Sequence, residues 1–182
     1  DQYAALYSET VTVQLENDFL PFLYPNQYVN FTPDSKASQL ALSLIDEDTV
    51  DVDALQQIYD YVVSNLTYDY EKADTVTTGY LPDVDETLKT GTGICFDYAA
   101  LTTAMLRSCD IPCKLQIGYA GDIKHAWIDV YIRSKGWVNQ AVSFKGDTWT
   151  LMDPTFDSNS DDKEAIQDYI GDESNYTVQF TR

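Results

Sequence analysis

Residues 91–108, GTGICFDYAALTTAMLRS, constrain the fold most, because two glycines there give way to a long apolar run. The run predicts a helix that begins near Cys95 and stops at Ile111–Pro112, since proline cannot continue a helix. A cysteine inside a helix is usually core filler. A cysteine at the first turn faces unpaired backbone N–H groups and the positive end of the helix dipole, which favour a thiolate. Cys95 therefore has two interpretations, packing or a nucleophile.

The residues after this helix change to the two-residue period of β-strands. KLQIGYAG indicates one strand, and KHAWIDVYI alternates strictly, which puts His125 and Trp127 on the same face. GWVNQAVSF and TWTLMDPTF are two further candidates separated by the turn KGD, and the last ends at Asp153 before a proline. The simplest architecture is an antiparallel sheet of three or four strands packed on the Cys95 helix. The predicted fold class is α+β.

The first half of the chain predicts helices joined by irregular segments. DSKASQLALSLI offers Asp34 or Ser35 as the cap of an amphipathic helix. DVDALQQIYDYVVSNL is a firmer helical pattern, and its apolar stripe consists of Leu55, Ile58, Val62 and Leu66. Before them, VTVQLENDFLPFLYPNQYVNFTPDSK predicts loop with short elements. After them, TYDYEKADTVTTGYLPDVDETL is rich in turn formers and predicts a long surface loop, a kind of segment that is often functional.

The whole chain is predicted to be a single domain, since no repeat, low-complexity tract or linker divides residues 1–182. A helical and loop part covers about residues 1–90, a catalytic core about 91–160 and a C-terminal extension about 161–182. The chain begins at Asp1 without a methionine, which suggests a processed or trimmed product, so a signal peptide or lipid anchor would lie upstream.

The composition excludes several classes of function. Asp and Glu number 30 against 11 Lys and Arg, for a net charge of −19. Nucleic acid and anionic membrane surfaces both demand a basic patch, so neither is an expected partner, and the acidity indicates a solvated surface. His125 is the single histidine, which excludes a metal site built on several histidines. No apolar stretch reaches the roughly 18 residues that a membrane span needs. We therefore expect no cofactor, no metal and no membrane-spanning segment.

The other cysteines and one acidic run have weaker implications. Cys109 and Cys113 would form a disulfide only if the intervening DIP turn brought them close enough. Burial of both as small apolar residues is the favoured interpretation. The run DSNSDD from Asp157 matches the first half of a calcium loop but lacks the glycine at the sixth position, which favours a solvated acidic turn.

A nucleophile, a base and an orienting acid can be assembled from Cys95, His125 and Asp153. A thiol nucleophile needs a base to remove its proton, and the base needs a third group to fix its tautomer. His125 follows Cys95 by about thirty residues and Asp153 follows at a similar interval, so neighbouring strands would bring the two side by side at the helix start. Spacing alone leaves a structural histidine as the alternative.

Four separated motifs resemble the core of the transglutaminase-like superfamily. They are GIC opening a helix, the turn RSCDIP, the strand HAW and the turn DPT, over about residues 55–160. The resemblance implies that Cys95 is the nucleophile, His125 the general base and acid, and Asp153 the carboxylate that orients the imidazole. Arg107 matches the family's structural turn. In that turn Asp110 stands where glycine is usual, which puts the local turn shape in question.

Within this superfamily, YDYEKA, GYLPD and GICFDYAAL are most similar to bacterial extracellular members, not to the calcium-dependent animal crosslinking enzymes. The resemblance implies attack on a carboxamide carbon, a thioester, and transfer of the acyl group to water or an amine. The backbone N–H of Cys95 and one further donor would stabilise the oxyanion, with Tyr68 and then Tyr80 as candidates. Trp127 is a candidate for lining the acyl groove. Aromatic packing is the alternative for all three side chains.

The sequence therefore predicts a thiol enzyme of the cell exterior that acts on peptide or protein amides, as a peptidase, an amidase or an acyl transferase. The alternative is a non-catalytic cell-surface binding or scaffold domain that retains the transglutaminase-like fold. An intact set of Cys95, His125 and Asp153 favours the enzyme, because a scaffold has no physical need for a nucleophile aimed at a histidine.

Overall fold

The computed structural model describes residues 7, 9–139, 142–145, 148–151 and 176–182. Within them a short 3-10 turn, Leu20–Phe22, precedes the longer elements. The helices in chain order are α1 (Lys36–Leu44), α2 (Asp51–Asn65), α3 (Tyr70–Thr75), α4 (Val84–Thr90) and α5 (Cys95–Ser108). The strands are β1 (Thr67–Tyr68), β2 (Thr92–Gly93), β3 (Cys113–Ala120), β4 (Ile123–Ile132), β5 (Gly136–Val138), β6 (Val142–Lys145), β7 (Thr148–Leu151) and β8 (Tyr176–Thr181).

The central sheet has the strand order β5-β4-β3-β8, and every neighbouring pair is antiparallel. β3 and β4 form a hairpin in which Cys113 pairs with Val130 and Gly118 pairs with His125. β1 and β2 form a short parallel pair, and β6 and β7 an antiparallel pair. The predicted α+β fold, with the Cys95 helix packed on a small antiparallel sheet, is confirmed.

Helix α5 lies at the centre of the core, because every residue from Asp97 to Arg107 is buried. It packs against α1, α2, α4, β3 and β4. The β4 side chains in this core are Ala126, Ile128, Val130 and Ile132, as the alternation predicted. The predicted apolar stripe of α2 is also buried in it and consists of Leu55, Ile58, Val62 and Leu66. The hydrophobic periods in the sequence therefore identified the core faces correctly.

The segment predicted as a long surface loop, residues 67–88, instead contains ordered elements. It holds β1, α3 and most of α4. Each helix begins with an aspartate cap: Asp69 accepts a hydrogen bond from Lys72 N at 2.8 Å, and Asp83 accepts one from Glu86 N at 3.0 Å. The loop prediction was wrong because aspartate favours turns and helix N-caps alike, so both states have the same composition.

Two smaller predictions also differ from the structure. Ser35 is the N-cap residue of α1, but its side chain makes no capping hydrogen bond. The carboxylate of Asp85 on α4 accepts from the backbone N–H groups of Lys36 and Ala37, both at 3.0 Å. GWVNQAVSF is not one strand, because β5 belongs to the central sheet whereas β6 pairs with β7. The Asp85 contacts join segments 48 and 49 residues apart, whereas β5 and β6 each pair with a strand that is adjacent in the chain.

Arg107 holds the turn between α5 and β3 in place, and its side chain is buried. Nε and Nη2 donate to the carbonyl of Cys113 at 3.0 and 2.8 Å. Nη1 donates to the carbonyl of Tyr24 at 2.7 Å, and Nη2 to that of Arg182 at 3.0 Å. Burial lowers the pKa of this guanidinium. One side chain thus ties the turn to the N-terminal segment and to the end of the chain.

Asp110 in the same turn has a φ of 57°, in the left-handed region. Glycine adopts this conformation without strain, whereas aspartate tolerates it better than most other residues. Asp110 therefore occupies a conformation that a glycine at this position would adopt without strain.

Candidate active site

Cys95 is the first residue of α5, and the preceding chain determines where the helix begins. Gly91 closes α4 with a left-handed φ of 63°, and the next two residues form β2. Ile94 is the extended N-cap residue, with φ −102° and ψ 176°. The first N–H groups of a helix lack helical partners and carry partial positive charge, so an anion at Cys95 is favoured there. The cysteine is half-buried.

Tyr68, a candidate oxyanion donor, lies beside the segment that leads into Cys95. It pairs with Gly93 in the parallel β1–β2 ladder. Thr67 N donates to Gly91 O and Asp69 N donates to Gly93 O, each at 2.9 Å. The structure thus brings Tyr68 opposite a residue only two positions before the cysteine. Its role as an oxyanion donor stays a prediction.

Asp97 is a residue of this site that sequence reasoning missed. Its side chain is fully buried two positions after Cys95, and it accepts three hydrogen bonds. Ile94 N donates to Oδ2 at 2.8 Å, Lys72 Nζ to Oδ2 at 2.7 Å and Tyr80 OH to Oδ1 at 2.5 Å. Lys72 Nζ also donates to Tyr80 OH at 2.7 Å. Asp97 bonds back to the N-cap amide as the acid of a capping box does, but Ile94 stands where that motif has Ser or Thr, so the sequence lacks its usual signature.

Lys72, Tyr80 and Asp97 are here termed the Asp97 cluster, and their contacts shift the pKa values of Lys72 and Tyr80. Burial lowers the pKa of Lys72, but its hydrogen bonds to Asp97 and Tyr80 and the Asp97 charge outweigh that effect and keep the pKa above its ordinary value. Burial, followed by the hydrogen bond to Asp97, raises the pKa of Tyr80. Lys72 is therefore a cation and Tyr80 a neutral phenol at neutral pH.

Tyr80 was the second candidate for the oxyanion donor. A phenol has one hydrogen to donate, and in this structure it goes to Asp97. The ring of Tyr80 lies edge-on to Phe96, with the centroids 6.3 Å apart. The structure thus brings Tyr80 to the first turn of α5, and an oxyanion role for its hydroxyl stays a prediction.

His125 lies near the start of β4 in a group of aromatic rings, and its side chain is buried. Its ring is nearly parallel to that of Trp127, with centroids 6.3 Å apart and an interplanar angle of 18°. Tyr176 of β8 packs edge-on to Trp127 at 5.0 Å. Gly118 makes room for this packing, since a Cβ there would lie 3.0 Å from Trp127 Cη2 and 1.9 Å from Thr177 O. Trp127 is only 2% exposed, which supports packing; its role in an acyl groove stays a prediction.

The course of β3 along α5 bears on whether His125 can reach Cys95. Cys113 Sγ lies 3.5 Å from Thr103 Oγ1, so β3 begins beside the second half of α5. From Thr103 back to Cys95 the helix spans about 12 Å, and from Cys113 to the strand partner of His125 β3 advances about 17 Å. β3 and β4 both pack on α5, and the approach of His125 to Cys95 stays a prediction.

Asp153 lies outside the described residues, as does the acidic run from Asp157. The part of the chain that is described contains no group of three His, Cys, Asp or Glu residues suited to a metal ion. None of the described helices has the length and apolar character needed to cross a membrane. Cys95, Cys109 and Cys113 are all free thiols. Of the three predicted catalytic residues, the described part of the chain contains a thiol at a helix start and a buried imidazole on β4.

Comparison with known proteins relates this arrangement to one family. The model of the Transglutaminase-like superfamily matches residues 38–154, well over half of the chain. A proposed cysteine protease from Cytophaga hutchinsonii is 26% identical, with a TM-score of 0.54 over 78% of this chain and 43% of its own. The periplasmic domain of TgpA from Pseudomonas aeruginosa is 18% identical, with a TM-score of 0.53 over 79% of this chain and 50% of its own. The latter likeness concerns the fold alone.

A curated relative adds a shorter match. UPF0252 protein MJ1282 from Methanocaldococcus jannaschii is 36% identical over 62 residues, which are 31% of this chain and 18% of that protein. The chain therefore spans half or less of the length of each of these relatives.

Proposed function

Because the chain belongs to the transglutaminase-like superfamily, we propose that it is a thiol enzyme acting on peptide or protein amides. Cys95 is the nucleophile, His125 the general base and acid, and Asp153 the carboxylate that orients the imidazole. The observation that carries the proposal is the placement of a free, half-buried cysteine at the first residue of the central helix, within the segment that the family model matches.

The proposed reaction proceeds through a thioester. His125 removes the proton of the Cys95 thiol, and the thiolate attacks the carboxamide carbon. A C–S bond forms, the C–N bond breaks, and His125 returns its proton to the leaving nitrogen. Water or a primary amine, deprotonated by His125, then attacks the thioester and releases the thiol. The oxyanion of each step is held by the backbone N–H of Cys95 and a second donor, for which Tyr68 is our first candidate.

The same proposal includes a location outside the cytoplasm. Its support is the similarity of YDYEKA, GYLPD and GICFDYAAL to bacterial extracellular members of the superfamily. The periplasmic domain of TgpA has the same fold, which is compatible with this location.

The test is turnover of peptides containing glutamine and asparagine, with and without a primary amine. We expect Cys95→Ala to abolish activity and His125→Ala to lower it by about 100- to 10,000-fold. Asp153→Asn should leave a measurable remainder, and the three losses should not add, because the residues act as one unit. EDTA should leave activity unchanged, since neither the nucleophile nor its activation requires a metal. Amine incorporation would identify an acyl transferase, and release of peptide fragments a peptidase.

Cys109→Ala is the matched control, since it removes a thiol from the far end of the same helix and should retain activity. Full activity of Cys95→Ala on a substrate that the wild type turns over would contradict the mechanism. Absence of turnover across a broad peptide library would favour the non-catalytic scaffold instead.

A further inference from the structure

We propose that Lys72 and Tyr80 are positioning residues for Cys95, which act by fixing and neutralising the Asp97 carboxylate at the first turn of α5. This inference rests on the proposed function, because the arrangement matters for chemistry only if Cys95 reacts as a thiolate.

The geometry couples the Asp97 cluster to the backbone on either side of Cys95. Asp97 belongs to the first turn, and its Oδ2 accepts the N–H of Ile94, the residue directly before the cysteine. The same oxygen accepts from Lys72, and Oδ1 accepts from Tyr80. Rotation of the Asp97 side chain would therefore release the N-cap backbone. Cys95, which lies between Ile94 and Asp97, would then lose its fixed orientation.

The backbone at Gly93 packs closely against the side chain of Asp97. A Cβ at that position would lie 2.6 Å from Cβ of Asp97 and 3.1 Å from its Oδ2. Real Cβ atoms do not approach other heavy atoms as closely as 2.6 Å, so only glycine leaves room for Asp97 beside the chain. The glycine two residues before Cys95 thus serves the packing of Asp97.

The charges give Lys72 its particular role. A carboxylate in the turn that bears Cys95 repels a second negative charge, so Asp97 by itself opposes formation of the thiolate. Lys72 Nζ lies 2.7 Å from that carboxylate and offsets its charge. The titratable groups that face Lys72 are Asp97 from α5 and Tyr80 from the segment between α3 and α4. From β4, His125 is the group proposed to face the sulfur.

A hydrogen bond between the amide of Asp69 and the carbonyl of Gly93 holds α3, and with it Lys72, beside Asp97. Asp69 N donates to Gly93 O at 2.9 Å, which fixes the start of α3 against the segment before Cys95. The Asp69 side chain then caps α3 through Lys72 N. The segment 67–80 is therefore anchored at β1 and again through the Asp97 cluster, and both anchors lie at the start of α5.

The experiment measures alkylation of Cys95 by iodoacetamide against pH, followed by mass spectrometry of the Cys95 peptide. Lys72→Met should move the pH midpoint upward by about one unit, equivalent to about tenfold slower alkylation at neutral pH. Lys72→Arg should stay close to wild type. The double variant with Lys72→Met and Asp97→Asn should recover most of the loss, because no uncompensated carboxylate remains.

Two further variants separate charge from folding. Lys89→Met removes the same charge from the exposed Lys89–Glu86 pair and should leave the midpoint unchanged. Lys72→Gln keeps a donor that can bond to Asp97 but no charge, so it should shift the midpoint even where its urea unfolding curve matches that of wild type.

An unchanged midpoint in Lys72→Met or Lys72→Gln would overturn the proposal. Equal slowing of Lys72→Met and the double variant would also overturn it, since the cluster would then be structural only. Failure of the proposed function has a different signature: wild-type Cys95 would react no faster than a free thiol. If Lys72→Met then still shifted the midpoint of Cys95 alkylation, that shift would support the coupling between the Lys72 charge and Cys95.

Discussion

Alkylation rates of the three cysteines distinguish a nucleophile from packing. Burial raises the pKa of Cys109 to about 11 and that of Cys113 to about 12. At about pH 7.5 the fraction present as thiolate is then roughly 1 in 3,000 for Cys109 and roughly 1 in 30,000 for Cys113. For a free thiol the same fraction is roughly 1 in 10. We expect Cys109 to react roughly 300-fold and Cys113 roughly 3,000-fold more slowly than a free thiol.

Access to the reagent adds to this difference. The Cys113 side chain is fully buried, so alkylation also requires the structure to open locally. Cys95 is half-buried at the first turn of α5, where unpaired N–H groups favour the anion. We therefore expect Cys95 to react at least as fast as a free thiol at neutral pH. The rate for Cys109 should instead rise about tenfold per pH unit until the pH approaches its raised pKa.

The assay is timed iodoacetamide labelling from about pH 6 to 10, with acid quench, digestion and quantification of the three cysteine peptides. Cys95→Ala should remove the fast phase and leave the slow ones unchanged. In concentrated guanidinium the three peptides should label at similar rates, which checks that the differences come from folding. Equal rates for all three cysteines in the native protein, and only at alkaline pH, would show that Cys95 is ordinary packing.

The remaining predictions concern the turn between α5 and β3. Arg107→Met should lower the free energy of unfolding in urea by about 2–4 kcal/mol, because the buried carbonyl of Cys113 and the part-buried carbonyl of Tyr24 lose a charged donor. Recovery of the cost of burying the guanidinium offsets part of that loss. The exposed Lys124→Met serves as the control, and a loss below about 0.5 kcal/mol in Arg107→Met would contradict this account. Asp110→Gly should raise the free energy of unfolding by about 0.5–1 kcal/mol, since glycine accepts φ 57° without strain; a decrease would refute that reading of the turn.

Features with a local cause were predictable from the sequence. The start of α5 at Cys95 follows from glycines before an apolar run, and the core face of β4 follows from its strict alternation. Each depends on residues within a few positions of one another, so a one-dimensional pattern contains the information. The family resemblance was predictable for a related reason, because its motifs are short and occur in a fixed order.

Segment 67–88 shows where local patterns fail. Its aspartates predict turns, yet Asp69 and Asp83 cap helices. The same side-chain oxygen accepts a backbone N–H in a turn and in a helix N-cap, so composition cannot separate the two. Packing against the core and pairing of β1 with β2 decide between them.

The sequence alone determined which residue begins the central helix, which faces of α2 and β4 are buried, and which side chains are candidates for catalysis. Only the tertiary structure decided that Asp97 is fully buried, and that its partners are Lys72, 25 residues away, and Tyr80, 17 residues away. Nothing local distinguishes Lys72 from the other lysines. Its pairing arises because β1 lies parallel to β2 and brings α3 to the start of α5. The role of a charged side chain depends on the group that it contacts after folding, and the residues next to Lys72 in the sequence do not reveal that group.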